Sequence, residues 1–530
     1  MTAPLFLIGF MAAGKTSVGR ALARQQGRRF VDLDDLIEER GGEPVPALVA
    51  RDEAAFRQHE RAALAQAIGD AQDGAVIATG GGAAAFEDNL DRMRAAGCVI
   101  ALGVDPDVAS ARAVGGGSRP LLERGDAAIR ALAAARAPVY RRAHAVVDTH
   151  DRSVEAVIAL VAETEAVFRE ARGDATTVVA LPGRSYPVIA STRFEASLVA
   201  SRLRGVTKVA LITDANVAAH WRARAEQELH ALRPTTIVIP AGEAHKSFAT
   251  YQELCDRLID EGLDRSSAIV ALGGGVVGDL AGFVAATLFR GIPVVQLPTT
   301  LVAMTDAAIG GKTAVDTRAG KNLVGAFHQP RLVACNTETL ATLPARERRA
   351  GFGELWKYAL LDGPDLWALV DACAEWGSTG GAAPAKLRDV ISRSIAYKAA
   401  IVGRDEVERK GQRALLNLGH TVGHAIESHT GMLHGEAVGL GLVVAARVSA
   451  VLGLSSAELE GQIADALRRT GLPHDPSAYL SDEVLARVGV DKKRTGDKVK
   501  FIAIREVGAC EPVELAITEL GRILRAPLRA

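Results

Sequence analysis

Aromatic residues make up only 4% of the 530 positions, so the cores of this chain are built from Leu, Val and Ala. The cysteines Cys98, Cys255, Cys335, Cys373 and Cys510 are scattered, with no C-x-x-C. That excludes a disulfide frame and fits a reducing, cytoplasmic setting. Charge of one sign is also missing. Lys and Arg total 62 against 63 Asp and Glu, which argues against a nucleic-acid coat or a polybasic membrane protein and leaves local basic pockets open. The opening stretch MTAPLFLIGFMAAGKT has an apolar run without a basic flank and passes straight into a motif, so it is not read as a signal peptide. The most apolar window, Ala437–Leu454, is interrupted by Arg447 and reads as a buried helix, not a span. No short-period repeat is present. Length and the 48% hydrophobic content indicate a globular chain of three or four domains.

The apolar run Pro4–Ile8 is suited to a buried parallel strand and leads into Gly9-Phe-Met-Ala-Ala-Gly14-Lys15-Thr16. This is G-x4-G-K-[ST], in which glycines turn backbone N–H groups towards phosphate, the lysine meets the terminal phosphates and the hydroxyl serves Mg2+. The following helix points its positive end at the anion. Arg29–Asp32, Ala75–Thr79, Cys98–Leu102 and Ala145–Asp148 are further strand candidates, giving a P-loop α/β sandwich. Its polar residues are unusual for a plain ATPase. Asp32 and Asp34 follow a strand, Gly80-Gly81-Gly82 follow another, and Arg57, Arg119 and Arg136 are placed to hold a carboxylate and steady a phosphoryl group. Asp34 is suited to deprotonate an acceptor hydroxyl.

With its P-loop, D-x-D, F-R-x-x-E, glycine triplet, R-P-L-L and R-x-P-x-Y in order, residues 1–165 resemble shikimate kinase. The resemblance implies ATP on Ala12-Ala13-Gly14-Lys15-Thr16-Ser17, magnesium placed by Thr16 and Asp32, and shikimate held by Asp34, Arg57, Gly81 and Arg136. It also implies a lid carrying Arg119, hinged at Gly115–Gly117, with Arg112 and Arg152 near the adenine. Ala12 departs from the family, which usually has a third loop glycine there. That position demands a backbone torsion alanine tolerates poorly.

Residues 166–176 read as a short charged connector. Beyond it, Val178–Leu181 and Tyr186–Ala190 are read as an antiparallel edge pair. Lys208–Thr213, Thr236–Ile239, Ile269–Leu272 and Val294–Leu297 alternate with helical stretches, predicting a second, Rossmann-like α/β sheet over 177–340. Leu272-Gly-Gly-Gly-Val-Val-Gly-Asp279 fits a spaced glycine fingerprint opening a helix Asp279–Leu288. Lys312 and Lys321 stand on glycine-flanked loops beside it, the arrangement expected of lysines that meet phosphate or carboxylate. Residues 341–530 read as mostly helical, with a break at Gly380–Pro384 and a returning strand at Phe501–Ile504. The stretch Asn417–Glu436 holds four of the twelve histidines. His420 and His424 share a helix face, His434 follows a break, and Glu354 and Lys357 share a face of another helix. Imidazoles grouped in this way point to a zinc site.

Residues 177–530 resemble 3-dehydroquinate synthase through GEAHKS, LGGGVVGD, LPTT, DAAIGGKTAV, GKNLVGAFHQP, GELWKY, LLNLGHTVGHAIE and LHGEAVGLG. The resemblance implies Glu354, His420 and His434 as ligands of Zn2+ or Co2+, with His424 an active-site group. It implies NAD+ along Gly242-Glu243-Ala244-His245-Lys246, Gly275-Val276-Val277-Gly278-Asp279 and Thr299-Thr300. Lys312, Lys321 and Thr339-Leu340-Ala341-Thr342 would lie nearby. Asp306, Lys312, Lys357, Arg413 and Asn417 would surround the substrate, with Arg290, Asn322, Lys398, Lys492 and Lys493. The family's substrate is 3-deoxy-D-arabino-heptulosonate 7-phosphate, which NAD+ oxidises transiently before phosphate leaves. The expectation is a cytoplasmic enzyme with two activities, acting on small molecules, without nucleic-acid or membrane partners, and dimeric through the synthase half.

Overall fold

The computed structural model describes residues 2–71, 73–113, 125–171, 175–193, 196–488, 494–495 and 498–525. The chain forms two compact units, Met1–Pro187 with Val402–Arg404 and Val188–Ile401 with Asp405–Ala530.

The first unit is built on a parallel sheet of five strands, β1 (Leu5–Gly9), β2 (Phe30–Asp32), β3 (Val76–Ala78), β4 (Cys98–Gly103) and β5 (Ala145–Asp148), in the order β2-β3-β1-β4-β5. Strand alternation sends Leu5 and Leu7 into one apolar layer, with Leu22 and Val161, and Phe6 and Ile8 into the other, with Leu64 and Ile77. Burial on both faces explains why these strands read as unbroken apolar runs. The phosphate loop leaves the carboxyl end of β1 and enters the helix Lys15–Gln26. Part of the segment read as a connector is helical, because the helix Val154–Ala171 runs on through its Glu, Arg and Ala residues. Strand β6 (Thr176–Val179) follows.

In the second unit, β7 (Tyr186–Ser191), β8 (Val209–Asp214), β9 (Thr235–Ile239), β10 (Ala268–Gly273) and β11 (Val294–Pro298) precede a hairpin, β12 (Lys312–Thr317) and β13 (Gly320–Phe327). After the hairpin comes β14 (Leu332–Asn336). Parallel pairing gives the order β7-β14-β11-β10-β8-β9. The order reverses between β8 and β10, and ligands of such sheets bind outside the carboxyl ends at that crevice. The helix expected from Asp279 starts at Gly275 instead. The reason is packing, since a Cβ on Gly278 would stand 2.9 Å from Gln296 Oε1, so the glycines bring the helix's first turn down onto the sheet.

Helices dominate the remainder, with a small sheet of β15 (Arg494–Thr495), β16 (Lys498–Glu506) and β17 (Ala509–Ala516). The helix His434–Val451 is long and apolar enough to cross a membrane, but 83% of that window is buried inside the protein, and its Arg447 pairs with Glu460. Close approach sets the geometry here. A Cβ on Gly353 would lie 2.0 Å from Gly435 O, one on Gly435 1.7 Å from Ala350 O, and one on Gly441 1.8 Å from Gly419 O. Only glycine lets the helices Ala345–Asp362 and His434–Val451, and the turn before the helix His420–Thr430, come this near.

Candidate active sites

In the first unit, Lys15 is buried and donates to the carbonyls of Gly9 and Phe10 at 2.9 Å each. Its ammonium thus ties the loop to the end of β1. Thr16 Oγ1 donates to Asp32 Oδ2 at 2.9 Å, while Asp32 Oδ1 caps the next helix at Asp34 N. A hydroxyl and a carboxylate, oxygen donors of the kind magnesium takes, are therefore adjacent. Gly14 (φ 92) and Ala12 (φ 56) both adopt left-handed backbone, so the alanine does sit in the torsion foreseen for it.

The acceptor side forms beside this loop. Arg57 pairs with the buried Glu60 at 2.7 Å. A Cβ at Gly82 would stand 2.7 Å from the Arg57 guanidinium, one at Gly80 3.1 Å from both Asp34 Oδ1 and Glu60 Oε1, and one at Gly81 3.6 Å from Arg136 Nη1. The triplet is a floor that larger residues would fill. Burial, then the neighbouring Asp32 carboxylate, raises Asp34 to about 6, against the pull of Lys15. Such a carboxyl is poised to take a proton near neutrality. Arg112 reaches Thr149 beyond β5, at 3.4 Å to its hydroxyl and 3.3 Å to its carbonyl, and Arg152 follows three residues later. Arg119 and the Gly115–Gly117 hinge lie outside the described residues. Two groups here were not singled out from sequence. Glu60 was seen only as a motif letter, and Tyr140 donates to Gly81 O at 2.6 Å.

In the second unit, Glu354 is 0% exposed on the helix Ala345–Asp362. Its Oε1 lies 3.2 Å from His434 Nε2 and 3.5 Å from His420 Nε2. Each imidazole is anchored through its other nitrogen, His420 Nδ1 by Leu418 O at 2.9 Å and His434 Nδ1 by Glu427 Oε2 at 3.0 Å. Two Nε2 atoms and one carboxylate oxygen converge with tautomers fixed, a donor set that fits zinc or cobalt. His424 joins the cluster, since ligand atoms of His420, His424 and His434 all lie within 4.8 Å of one another. Burial opposes the His434 cation, yet the Glu354 and Glu427 hydrogen bonds push it up to about 10. A bound ion would displace that proton. Burial likewise resists the Glu427 charge, but His434 and Lys321 take it down to about 2.

A buried ionic chain continues from Glu354. Its carboxylate pairs with Lys357, whose ammonium lies 3.7 Å from Asp306. Asp306 stands on a single π-turn, Ala303–Ala307, a distortion frequent at functional sites. It accepts from Tyr358 Oη at 2.8 Å and Lys398 Nζ at 2.9 Å. Burial outweighs Asp306 and draws Lys398 down to about 8. Arg413 is buried and donates to Gly310 O at 3.1 Å, and Asn417 ends the same short turn, Gln412–Asn417.

The lysines read as lying on loops belong to the hairpin. Lys312 opens β12 and pairs with Glu408, while Lys321, on β13, pairs with Glu427 at 2.8 Å. Lys246 is buried between Asp279 and Asn322 Oδ1, so the Gly242–Lys246 loop, the Gly275 helix and the hairpin meet at one point. Thr300 flanks Gly274, and Thr299 N donates to Gly273 O at 3.0 Å. In the turn Thr337–Thr342, the Leu340 side chain is buried and Thr342 accepts from Trp221 at 2.7 Å. Asp214 ends β8 at its carboxyl end, and its Oδ1 caps the next helix by accepting from Asn216 N at 2.8 Å. Sequence reading passed over them, although strand order marks their place. Arg290 is exposed, at φ 71, and ends the short turn Leu288–Arg290 that follows the helix beginning at Gly275. Lys492 and Lys493 lie outside the described residues.

Comparison with known proteins agrees with this division. Residues 11–166 match the family model for shikimate kinase, residues 236–350 that for the 3-dehydroquinate synthase N-terminal part and residues 351–494 that for its C-terminal part. The 3-dehydroquinate synthase of Xanthomonas oryzae pv. oryzae (strain MAFF 311018) is 46% identical over 316 residues, spanning 57% of this chain and 85% of that protein. A 2-deoxy-scyllo-inosose synthase, solved with carbaglucose-6-phosphate, NAD+ and Co2+, superposes with a TM-score of 0.60 at 27% identity, covering 66% of this chain and 99% of that one. The 2-epi-5-epi-valiolone synthase of Streptomyces hygroscopicus subsp. jinggangensis 5008, with NAD+ and Zn2+ bound, gives 0.59 at 27% identity over 65% and 97%.

Proposed function

We infer the workings of this chain from its kinship: it belongs to the 3-dehydroquinate synthase family, and residues 11–166 form a shikimate kinase domain. It is a bifunctional enzyme of aromatic biosynthesis. One part transfers phosphate from ATP to the 3-hydroxyl of shikimate. The other converts 3-deoxy-D-arabino-heptulosonate 7-phosphate to 3-dehydroquinate and phosphate.

In the kinase, Lys15 would leave the Gly9 and Phe10 carbonyls for the terminal phosphates, and Thr16 with Asp32 would hold Mg2+. Arg57 and Arg136 would hold the shikimate carboxylate over Gly81, and Asp34 would take the proton of the attacked hydroxyl. In the synthase, Glu354, His420 and His434 would hold Zn2+ or Co2+, with His424 facing the substrate. NAD+ would lie along the meeting point of the Gly242–Lys246 loop, the Gly275–Asp279 turn, Thr299-Thr300, Lys321 and the Thr339–Thr342 turn. When bound, NAD+ takes and returns the hydride and the metal ion polarises the oxygen concerned. Asp306, set between Lys357 and Lys398, orients the reacting hydroxyl. Lys312, Asn322, Arg413 and Asn417 hold the substrate's phosphate and carboxylate, so positioning carries much of the catalysis. The surroundings are cytoplasmic, and the chain pairs as a homodimer through the synthase half.

The convergence of Glu354, His420 and His434 beside the Lys357–Asp306–Lys398 chain is the observation that carries this reading. The test uses the whole chain with transition metal removed and then restored. Phosphate release from the heptulosonate phosphate with NAD+ stops and returns, while ADP formation with shikimate and Mg-ATP continues throughout. Phosphate release that persists after complete metal removal refutes the ligand assignment.

A further inference from the structure

Glu427 belongs to neither the ligand set nor the cofactor loops, yet it touches both. It lies one helical turn beyond His424 on the helix His420–Thr430 and is largely buried. Its Oε2 takes His434 Nδ1 at 3.0 Å, and its Oε1 takes Lys321 Nζ at 2.8 Å. Lys321 in turn lies 3.9 Å from Glu243 on the Gly242–Lys246 loop, and His434 Nε2 lies 3.2 Å from Glu354. The chain Glu243–Lys321–Glu427–His434–Glu354 therefore runs without a break from the dinucleotide loop to the metal donors.

We propose that Glu427 is a positioning residue that makes metal and dinucleotide binding mutually favourable. The proposal rests on the assignment of His434 to the metal and Lys321 to NAD+. One oxygen fixes the His434 ring so that Nε2 faces Glu354, the role carboxylates play behind metal-bound histidines. The other fixes Lys321. An ammonium has three donors, so Lys321 keeps N–H groups for a pyrophosphate while held by Glu427. A metal ion that orders His434 thereby orders Glu427 and Lys321 for the dinucleotide. Linkage requires the reverse effect to be equal.

The test is direct binding to the full chain, with no turnover. Zinc affinity is read by competition with a chromophoric chelator, and NAD+ affinity by calorimetry with and without zinc. In the wild-type chain, zinc should tighten NAD+ about 5- to 10-fold, within the usual range of site-to-site coupling. Glu427→Gln should weaken zinc about 10- to 100-fold, the usual cost of losing such a partner, and abolish the coupling even at saturating zinc. Lys321→Met should keep the zinc affinity and lose the coupling. Unchanged zinc affinity in Glu427→Gln overturns the proposal, as does wild-type NAD+ affinity indifferent to zinc. The underlying assignment is checked separately with His434→Ala: if that variant binds zinc like the wild-type chain, the ligand set has failed and not the coupling.

Discussion

In the first unit one unbroken run, Gly9–Thr16, forms the P-loop from backbone and two functional side chains, Lys15 and Thr16. In the second unit the groups around Glu354 arrive from the helices Ala345–Asp362, Leu387–Arg404, His420–Thr430 and His434–Val451 and the turn Ala303–Ala307. A loop site needs only its own torsions to be right. An assembled site needs helices held at fixed depth, which here falls to glycines such as Gly353 and Gly435 that meet neighbouring backbone. The first should therefore tolerate distant changes and the second should not.

The sharpest attack on the assembled site is Glu354→Gln. It removes a ligand oxygen and leaves the buried Lys357 without its closest counter-charge. Zinc affinity should fall at least about 100-fold, beyond the cost of an outer partner, and phosphate release should stop at ordinary metal concentrations. ADP formation should stay within about two-fold, as for sites without shared partners. Loss of both activities would mean that the two sites are not independent.

Asp34→Asn strikes the other site. ADP formation should drop about 10²- to 10⁴-fold, the usual worth of a positioned base, with phosphate release unaffected. The pH profile carries the same information. Asp34 must be ionised to accept a proton, and its carboxyl is raised to about 6. Kinase kcat/KM should therefore climb as pH rises through about 6 and then level off. A profile flat down to pH 5 would remove Asp34 from the role.

Lys398 gives a smaller effect with the opposite slope. Its ammonium, drawn down to about 8 by burial, holds Asp306 only while charged. Synthase kcat/KM should fall as pH rises through about 8, and Lys398→Arg, which stays charged, should flatten that limb.

What could be read from sequence follows the same contrast. The P-loop and the His420/His424 pair were legible because local spacing fixes them, on one loop or within a helical turn, whereas Glu354 joined the histidines only through the family resemblance. Glu427, Tyr358 and Glu60 were not, because their roles come from partners far along the chain, Lys321, Asp306 and the glycine triplet. The helix start at Gly275 was misplaced for a related reason. Glycine lowers helix propensity, and the contact of Gly278 with Gln296 in the same first turn shows the packing that glycine permits there.

Ala12 tests the loop rule at its weakest point, with the smallest effect. Its φ of 56 puts a Cβ in the left-handed region, which costs an L residue about 1–2 kcal/mol. Ala12→Gly relieves that strain, yet it also loosens the unfolded chain by about 0.4–1 kcal/mol. The relief is the larger by about 0.5–1 kcal/mol, so the melting temperature of the kinase unit should rise by a few degrees at most. The strain matters more for ATP, because Lys15 must leave the Gly9 and Phe10 carbonyls and the loop must adjust around the phosphates. Relief worth about 1 kcal/mol corresponds to a KM for ATP lower by about five-fold, measured from initial rates at saturating shikimate. Ala12→Val, with its branched Cβ, should raise that KM instead. If Ala12→Gly raised it, the alanine would be stiffening a loop already shaped for phosphate, and backbone order would outweigh backbone strain at this site.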